Sequence, residues 1–247
     1  MAFQRFLPLV SLISLIALWQ ITAVMIQSPV LPTPIKVIQV LIDATVSGDL
    51  PYNLGITLAR LTASFFLAML LGSAIGIVLG RHRTLDQFFD NWIIILLNIP
   101  ALVTIILCFV WFGLIESAAV LAVVINKLPN VVVTIREGTR VLDRNLLEMA
   151  QSYNFSRYKT FRHVIWPQLY PFVITSARTG LALIWKIILV VEMLGRSDGM
   201  GYQLHLYFQL FDVAGILAYT ITFILIIQLI ELLILKPLDR HARRWRR

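Results

Sequence analysis

Six long apolar runs, separated by short polar stretches and one long one, set the pattern of this chain. They extend approximately from Phe6 to Ile26, Leu61 to Gly80, Trp92 to Gly113, Ser117 to Ile135, Phe172 to Leu194 and Val213 to Leu235. Each is near the ~20 residues that a helix needs to cross a ~30 Å hydrocarbon core. The pattern predicts an all-α integral membrane protein with six transmembrane helices, forming one domain over residues 1–247. The first run has one basic residue, Arg5, ahead of it and no clear small-x-small cleavage site, so it reads as a retained span.

The exceptional stretch is the polar one, about residues 136–171, which contains "LLEMAQSYNFSRYKTFRHVIWPQLYP" from Leu146 to Pro171. A return into the bilayer needs only a few residues, and this loop is long enough for two helices. Asp143 is placed to cap the first, whose apolar Leu146, Leu147 and Ala150 recur at helical spacing. Asn154 falls where a helix ends in a left-handed residue. Ser156 is placed to cap the second, with Tyr158, Phe161 and Ile165 on one stripe and Pro167 as the expected stop. From spacing alone the unit can equally be an amphipathic loop on anionic headgroups. A DNA-binding helix-turn-helix is disfavoured, because a module held between two spans cannot follow a groove.

Composition agrees with the bilayer as the main solvent. Apolar residues make up 59% and charged residues 14%, with a mean hydropathy of +0.83, against about 25% charged in soluble domains. The net charge of +8 is unevenly placed. With the N-terminus inside, 15 of the 21 Lys and Arg fall in inner segments, and the outer ones keep only Lys36 and Arg196. Both termini, the long loop and the basic tail 236–247 are therefore expected in the cytoplasm, the tail meeting anionic lipid with Trp245 as an interfacial anchor. The basic pI thus needs no nucleic acid. With Cys108 the sole cysteine, no intrachain disulfide can form. No P-loop, H-E-x-x-H or G-x-S-x-G motif occurs, and the four histidines are scattered, so neither ATP binding nor catalysis nor a metal site is expected in this chain.

Charges inside apolar runs are the remaining candidates for chemistry. Arg178, Trp185 and Glu192 are seven apart and share a helix face, whereas Lys186 points elsewhere. Lys127 lies mid-span in the fourth run, where Pro129 should bend or loosen the helix. Lys127, Trp185, Lys186 and Glu192 are candidate pathway residues, the lysines attracting an anionic solute. The competing reading is that the lysines pair with Glu192, Glu231 or backbone carbonyls and only hold helices together. Gly72, Gly76 and Gly80 predict close helix packing.

Several fragments carry a resemblance. "EMAQSYN" followed nine residues later by "VIWP" is similar to the E-A-A-x-x-x-G…I-x-L-P loop of permease subunits of bacterial ABC importers. Glu148, Ala150 and Pro167 match that motif, while Met149, Asn154 and Trp166 depart from it. "LPTPIKVIQVL", "ITLARLTASFFLAMLLGSAIGIVLG" and "VVEMLGRSDGMGYQL" resemble segments of the permeases for nitrate, sulfonate and taurine. The resemblance implies a type I importer permease whose long loop couples it to a separate ATPase, through Glu148, Ala150, Asn154, Phe155, Arg157, Tyr158, Lys159, Phe161 and Pro167. It also implies two ATPase copies carrying ATP and Mg, a second permease chain (a homodimer), and a periplasmic or lipid-anchored solute-binding protein. The solute would be a small anionic nutrient of the nitrate, sulfonate, taurine or carboxylate class, imported across the inner membrane. A passive channel without ATP coupling and a membrane enzyme are the competing classes.

Overall fold

The structure, a computed structural model, describes residues 2–237. The expected tail, Trp245 included, lies outside the described residues from position 238 onward. The described residues are helical with short connections. Four helices are long and apolar enough to span a bilayer: α3 (Asp49–Arg81), α6 (Glu116–Arg140), the continuous helix Arg157–Gly195, and α11 (Val213–Ile230) with its extension. The first expected span falls in α1 (Ala2–Ile26), where Val10–Ile26 is an apolar helix shorter than those four.

The third expected span is two helices, α4 (Arg83–Asn98) and α5 (Ala101–Phe112), meeting at 97°. Pro100 has no amide hydrogen and pushes the preceding residue out of the helical region; Ile99 is extended at φ −71°, ψ 123°. Apart from the long loop, two short helices lie outside the long ones: α2 (Pro34–Val46), capped by Thr33, and α10 (Met200–Gln209).

The second helix of the long loop is not stopped at Pro167. It starts as α8 (Arg157–Thr160), widens through a π-helical turn at Phe161–Ile165, and continues as α9 (Trp166–Gly195). The Trp166 amide donates to the Phe161 carbonyl, five residues back. Pro167 thus follows a stretch whose backbone has already loosened, where its missing amide and its ring are accommodated. The proline rule alone misplaces the boundary.

At the centre stands α6, with 56% of its apolar window buried against 28–33% in the other three long helices. Its closest neighbour is α3. A Cβ added at Gly72 would lie 2.6 Å from Val131 Cβ, at Gly76 2.8 Å from the Val132 carbonyl, and at Gly80 2.5 Å from Thr139 Cβ. The glycine ridge therefore seats α3 on α6 at backbone distance, as the sequence predicts. Ile105, Ala119, Ala122, Val123, Ile184 and Ile188 close the core between α5, α6 and α9. Phe66, Leu70, Val110 and Trp111 stay outside and exposed, an arrangement suited to lipid rather than water.

At the end of the molecule that carries the long loop, charged residues join α4 to α6. Arg136 donates to Asp86 at 3.1 Å and to Asp90 at 2.6 Å, while Arg140 engages Asp86 and, at 2.7 Å, Glu137.

Candidate functional site

The long loop is built from local signals that the chain supplies itself. α7 (Arg144–Ser152) begins where the Asp143 carboxylate accepts from the Asn145 amide at 2.8 Å. The Asp143 amide donates to Gln168 Oε1, tying the loop to α9. At the other end Asn154 adopts φ +50°, its amide donating to the Gln151 carbonyl and the Phe155 amide to that of Ala150. Those two bonds make a Schellman ending. Ser156 then accepts from the Lys159 amide at 3.3 Å and opens α8.

Underneath, Leu142, Ile165 and Leu169 pack with Ile77 and Leu147, and Ala150 is 1% exposed. Glu148, Asn154, Arg157, Lys159 and Pro167 are exposed, and Phe155 is half-buried with Lys159 Nζ 4.0 Å above its ring. The expected stripe divides. Ile165 is buried, but Tyr158 is 69% exposed and Phe161 also faces outward, together with Tyr153, Met149 and Trp166. Five large apolar or aromatic side chains thus crowd the outer surface of a polar loop. Exposed apolar clusters of this kind are typical of surfaces that meet a protein or a membrane.

A second constellation sits at the opposite end of α3 and α9. Arg60, on α3, bonds Glu192 Oε1 at 2.8 Å, both oxygens of Glu116 at 3.1 Å or less, and the carboxylate and carbonyl of Asp198. Glu192 is fully buried and also accepts from the Gly201 amide, with Thr57 Oγ1 2.9 Å away. Asn53 Oδ1 accepts from the Gly199 amide and Thr57 Oγ1 from that of Met200. The backbone here must be glycine. Gly199 has φ +102°, and a Cβ would fall 2.4 Å from the Glu192 carboxyl carbon; at Gly201 it would meet the Leu189 carbonyl at 2.2 Å. One arginine therefore pins α3, α6, α9 and the turn into α10.

The candidate pathway residues separate in space. Glu192 belongs to this enclosed pin, and Glu231 accepts from Arg178 at 2.7 Å, so neither carboxylate serves a lysine. Lys186 is exposed, with Nζ 5.5 Å from the Trp185 ring centre, and Trp185 packs on Phe223. Lys127 is 1% exposed against Gly180, where a Cβ would lie 2.7 Å from its Cε. Among the described residues it has no hydrogen bond or ion pair. α6 continues unbroken through Pro129.

Sequence reasoning passed over Asn53, Thr57, Arg60 and Glu116. A usable signal was present: Arg60 and Glu192 carry opposite charges beside two apolar runs, and such charges seek each other in a bilayer.

The family model described as "Binding-protein-dependent transport system inner membrane component" matches residues 68–247. Two relatives are each named "Putative aliphatic sulfonates transport permease protein SsuC". The one from Bacillus subtilis (strain 168) is 27% identical, covering 94% of this chain and 84% of its own. The one from Escherichia coli (strain K12) is 30% identical, covering 80% and 74%. Among solved structures, a chain of the inward-facing MetNI methionine ABC transporter, in its CY5 native crystal form, superposes with a TM-score of 0.65. It covers 76% of this chain and 92% of its own at 16% identity, a likeness of fold.

Proposed function

The chain belongs to the inner membrane components of binding-protein-dependent transport systems, the permease subunits of ABC importers, and on that premise we propose how it works and what it carries. It is a membrane subunit and not an enzyme, and its fold is of the type I importer permease kind. ATP and Mg sit on separate ATPase subunits, two per complex. Two copies of this chain enclose the pathway, and a periplasmic or lipid-anchored binding protein delivers the solute. Both termini and the α7–α8 loop lie in the cytoplasm, as the distribution of basic residues supports.

The observation that carries the mechanism is the α7–α8 surface. Its backbone is fixed by two side-chain caps and a Schellman turn, yet it displays Tyr153, Tyr158 and Phe161 outward. A fixed loop with outward-facing aromatic side chains is suited to filling a groove on another protein. Glu148, Arg157 and Lys159 stand around it as charged rim contacts, while Ala150, Asn154, Phe155 and Pro167 hold its shape. Because α8 continues into α9 without a break, force on the loop passes directly along a 39-residue helix to the core around α6. Closure of the ATPase pair thereby moves the spans, and solute affinity must differ between the two states for the cycle to have a direction.

The solute is a small nutrient bearing an anionic group, with an organic sulfonate first and nitrate, zwitterionic taurine or a carboxylate as the alternatives; the names of the two relatives support the sulfonate. Lys186, exposed beside Trp185 on α9, is the cation offered to it, whereas Lys127 is enclosed and Glu192 is structural. The test is uptake of radiolabelled sulfonate by proteoliposomes holding the complete complex. ATP-dependent uptake reduced severalfold by Lys186→Met, with assembly intact, supports this reading. Uptake that persists without ATP would return the passive-channel reading.

A further inference from the structure

Two hollows adjoin at the loop end of α3 and α4. One is a cleft of about 740 Å³ that holds Arg81, Arg83 and Arg144 beside the Arg136–Arg140–Asp86 network. That network uses its own carboxylates, but Arg81, Arg83 and Arg144 are exposed and, among the described residues, have no hydrogen bond or ion pair. The other is a groove of about 480 Å³ between α3, α4 and α6, lined by apolar side chains only. Leu79 borders both.

The two shapes are complementary parts of one ligand. On α4 the groove extends from Leu85 to Leu96, about 16 Å at 1.5 Å per residue. On α3 and α6, which cross the bilayer, it covers Ala74–Leu79 and Leu128–Val132, about 6–8 Å, room for the part of an acyl chain nearest its headgroup. A cluster of unneutralised guanidinium groups stands at its mouth, and Trp92 lies along it with its ring largely exposed. A soluble anion would leave the groove empty, and a neutral chain would leave the arginines unmatched. We propose that this cation-capped groove binds one anionic phospholipid. Its phosphate sits on Arg81, Arg83 and Arg144, and an acyl chain lies along Val78, Trp92 and Leu96. Arg144 opens α7, so a lipid held here abuts the coupling loop and the α3–α6 glycine seam together.

Native mass spectrometry of the chain with its copurified partners tests this directly. The complex is titrated with dioleoyl phosphatidylglycerol and, separately, with dioleoyl phosphatidylcholine. The expected result is preferential retention of phosphatidylglycerol, weakened about fivefold for each arginine replaced in Arg81→Gln, Arg83→Gln and Arg144→Gln. Val78→Trp, which fills the groove without touching charge, should lower retention of both lipids and decides the matter if the triple variant fails to fold. Equal retention of the two lipids, or unchanged phosphatidylglycerol retention in the folded triple variant, overturns the proposal. So does phosphatidylglycerol binding to the isolated chain that vanishes in the complex, because the cleft would then be a protein interface.

Discussion

Arg60 is the residue on which the fully buried Glu192 carboxylate depends. It faces Glu192, Glu116 and Asp198, and Glu192 is fully buried. Removing one partner from a buried pair costs about 3–5 kcal/mol, because the other charge is left without compensation. Arg60→Met should therefore lower the thermal midpoint of the detergent-solubilised protein markedly. Arg60→Met with Glu192→Leu should recover part of that loss, as the orphaned carboxylate is gone. A midpoint unmoved by Arg60→Met would show that the pin is not structural. A second contrast lies within α3. Gly76→Leu would drive a side chain into the Val132 carbonyl region, where even a Cβ sits at 2.8 Å, and overpacking costs about 1–3 kcal/mol. At Gly55 nothing lies within 4 Å, so Gly55→Ala should be neutral or stabilising by up to ~1 kcal/mol. Thermal midpoints of the pair check the packing of α3 on α6.

Among the elements, α7 and α8 are the best specified by local sequence. Asp143, Asn154 and Ser156 are the cap and turn residues that the chain predicts, and each acts as one. Asn154 stands where the resembling motif has glycine. At φ +50° glycine is at least as well suited, so Asn154→Gly should keep the loop and its partner. Asn154→Val, which resists that backbone, should loosen both. Retention of the ATPase during purification reads this out; equal retention by the two variants would argue that the turn is irrelevant to docking. Where local rules compete, the sequence was less legible. Pro100 breaks its helix and Pro167 does not, although the residue type is the same. Pro167 follows a π-helical turn, whereas Pro129 and Pro171 are carried inside α6 and α9 without one of their own, so residue type alone does not report the outcome. The Tyr158–Phe161–Ile165 stripe was misleading for a related reason: helical spacing places side chains on a face, but what covers that face is a tertiary fact.

At the scale of the molecule, the apolar runs and the basic asymmetry made the membrane class readable, and the order of the resembling fragments made the permease family readable. The polar pin at Arg60 was not, because its members are spread over α3, α6, α9 and the turn that follows and meet only on folding. The lysines illustrate the same limit: sequence makes Lys127 and Lys186 equivalent candidates, whereas packing encloses one and exposes the other. The central claim is that the α7–α8 surface joins this permease to a separate ATPase. Quantitative mass spectrometry of what copurifies from native membranes in mild detergent, with the natural chain and with Tyr153→Asp/Tyr158→Asp, tests it most directly. The account predicts a P-loop ATPase at one copy per permease chain with the natural protein, lost from the doubly substituted one while its thermal midpoint is unchanged. Full retention of the ATPase by the substituted chain, or a natural chain that emerges folded and alone, would contradict it.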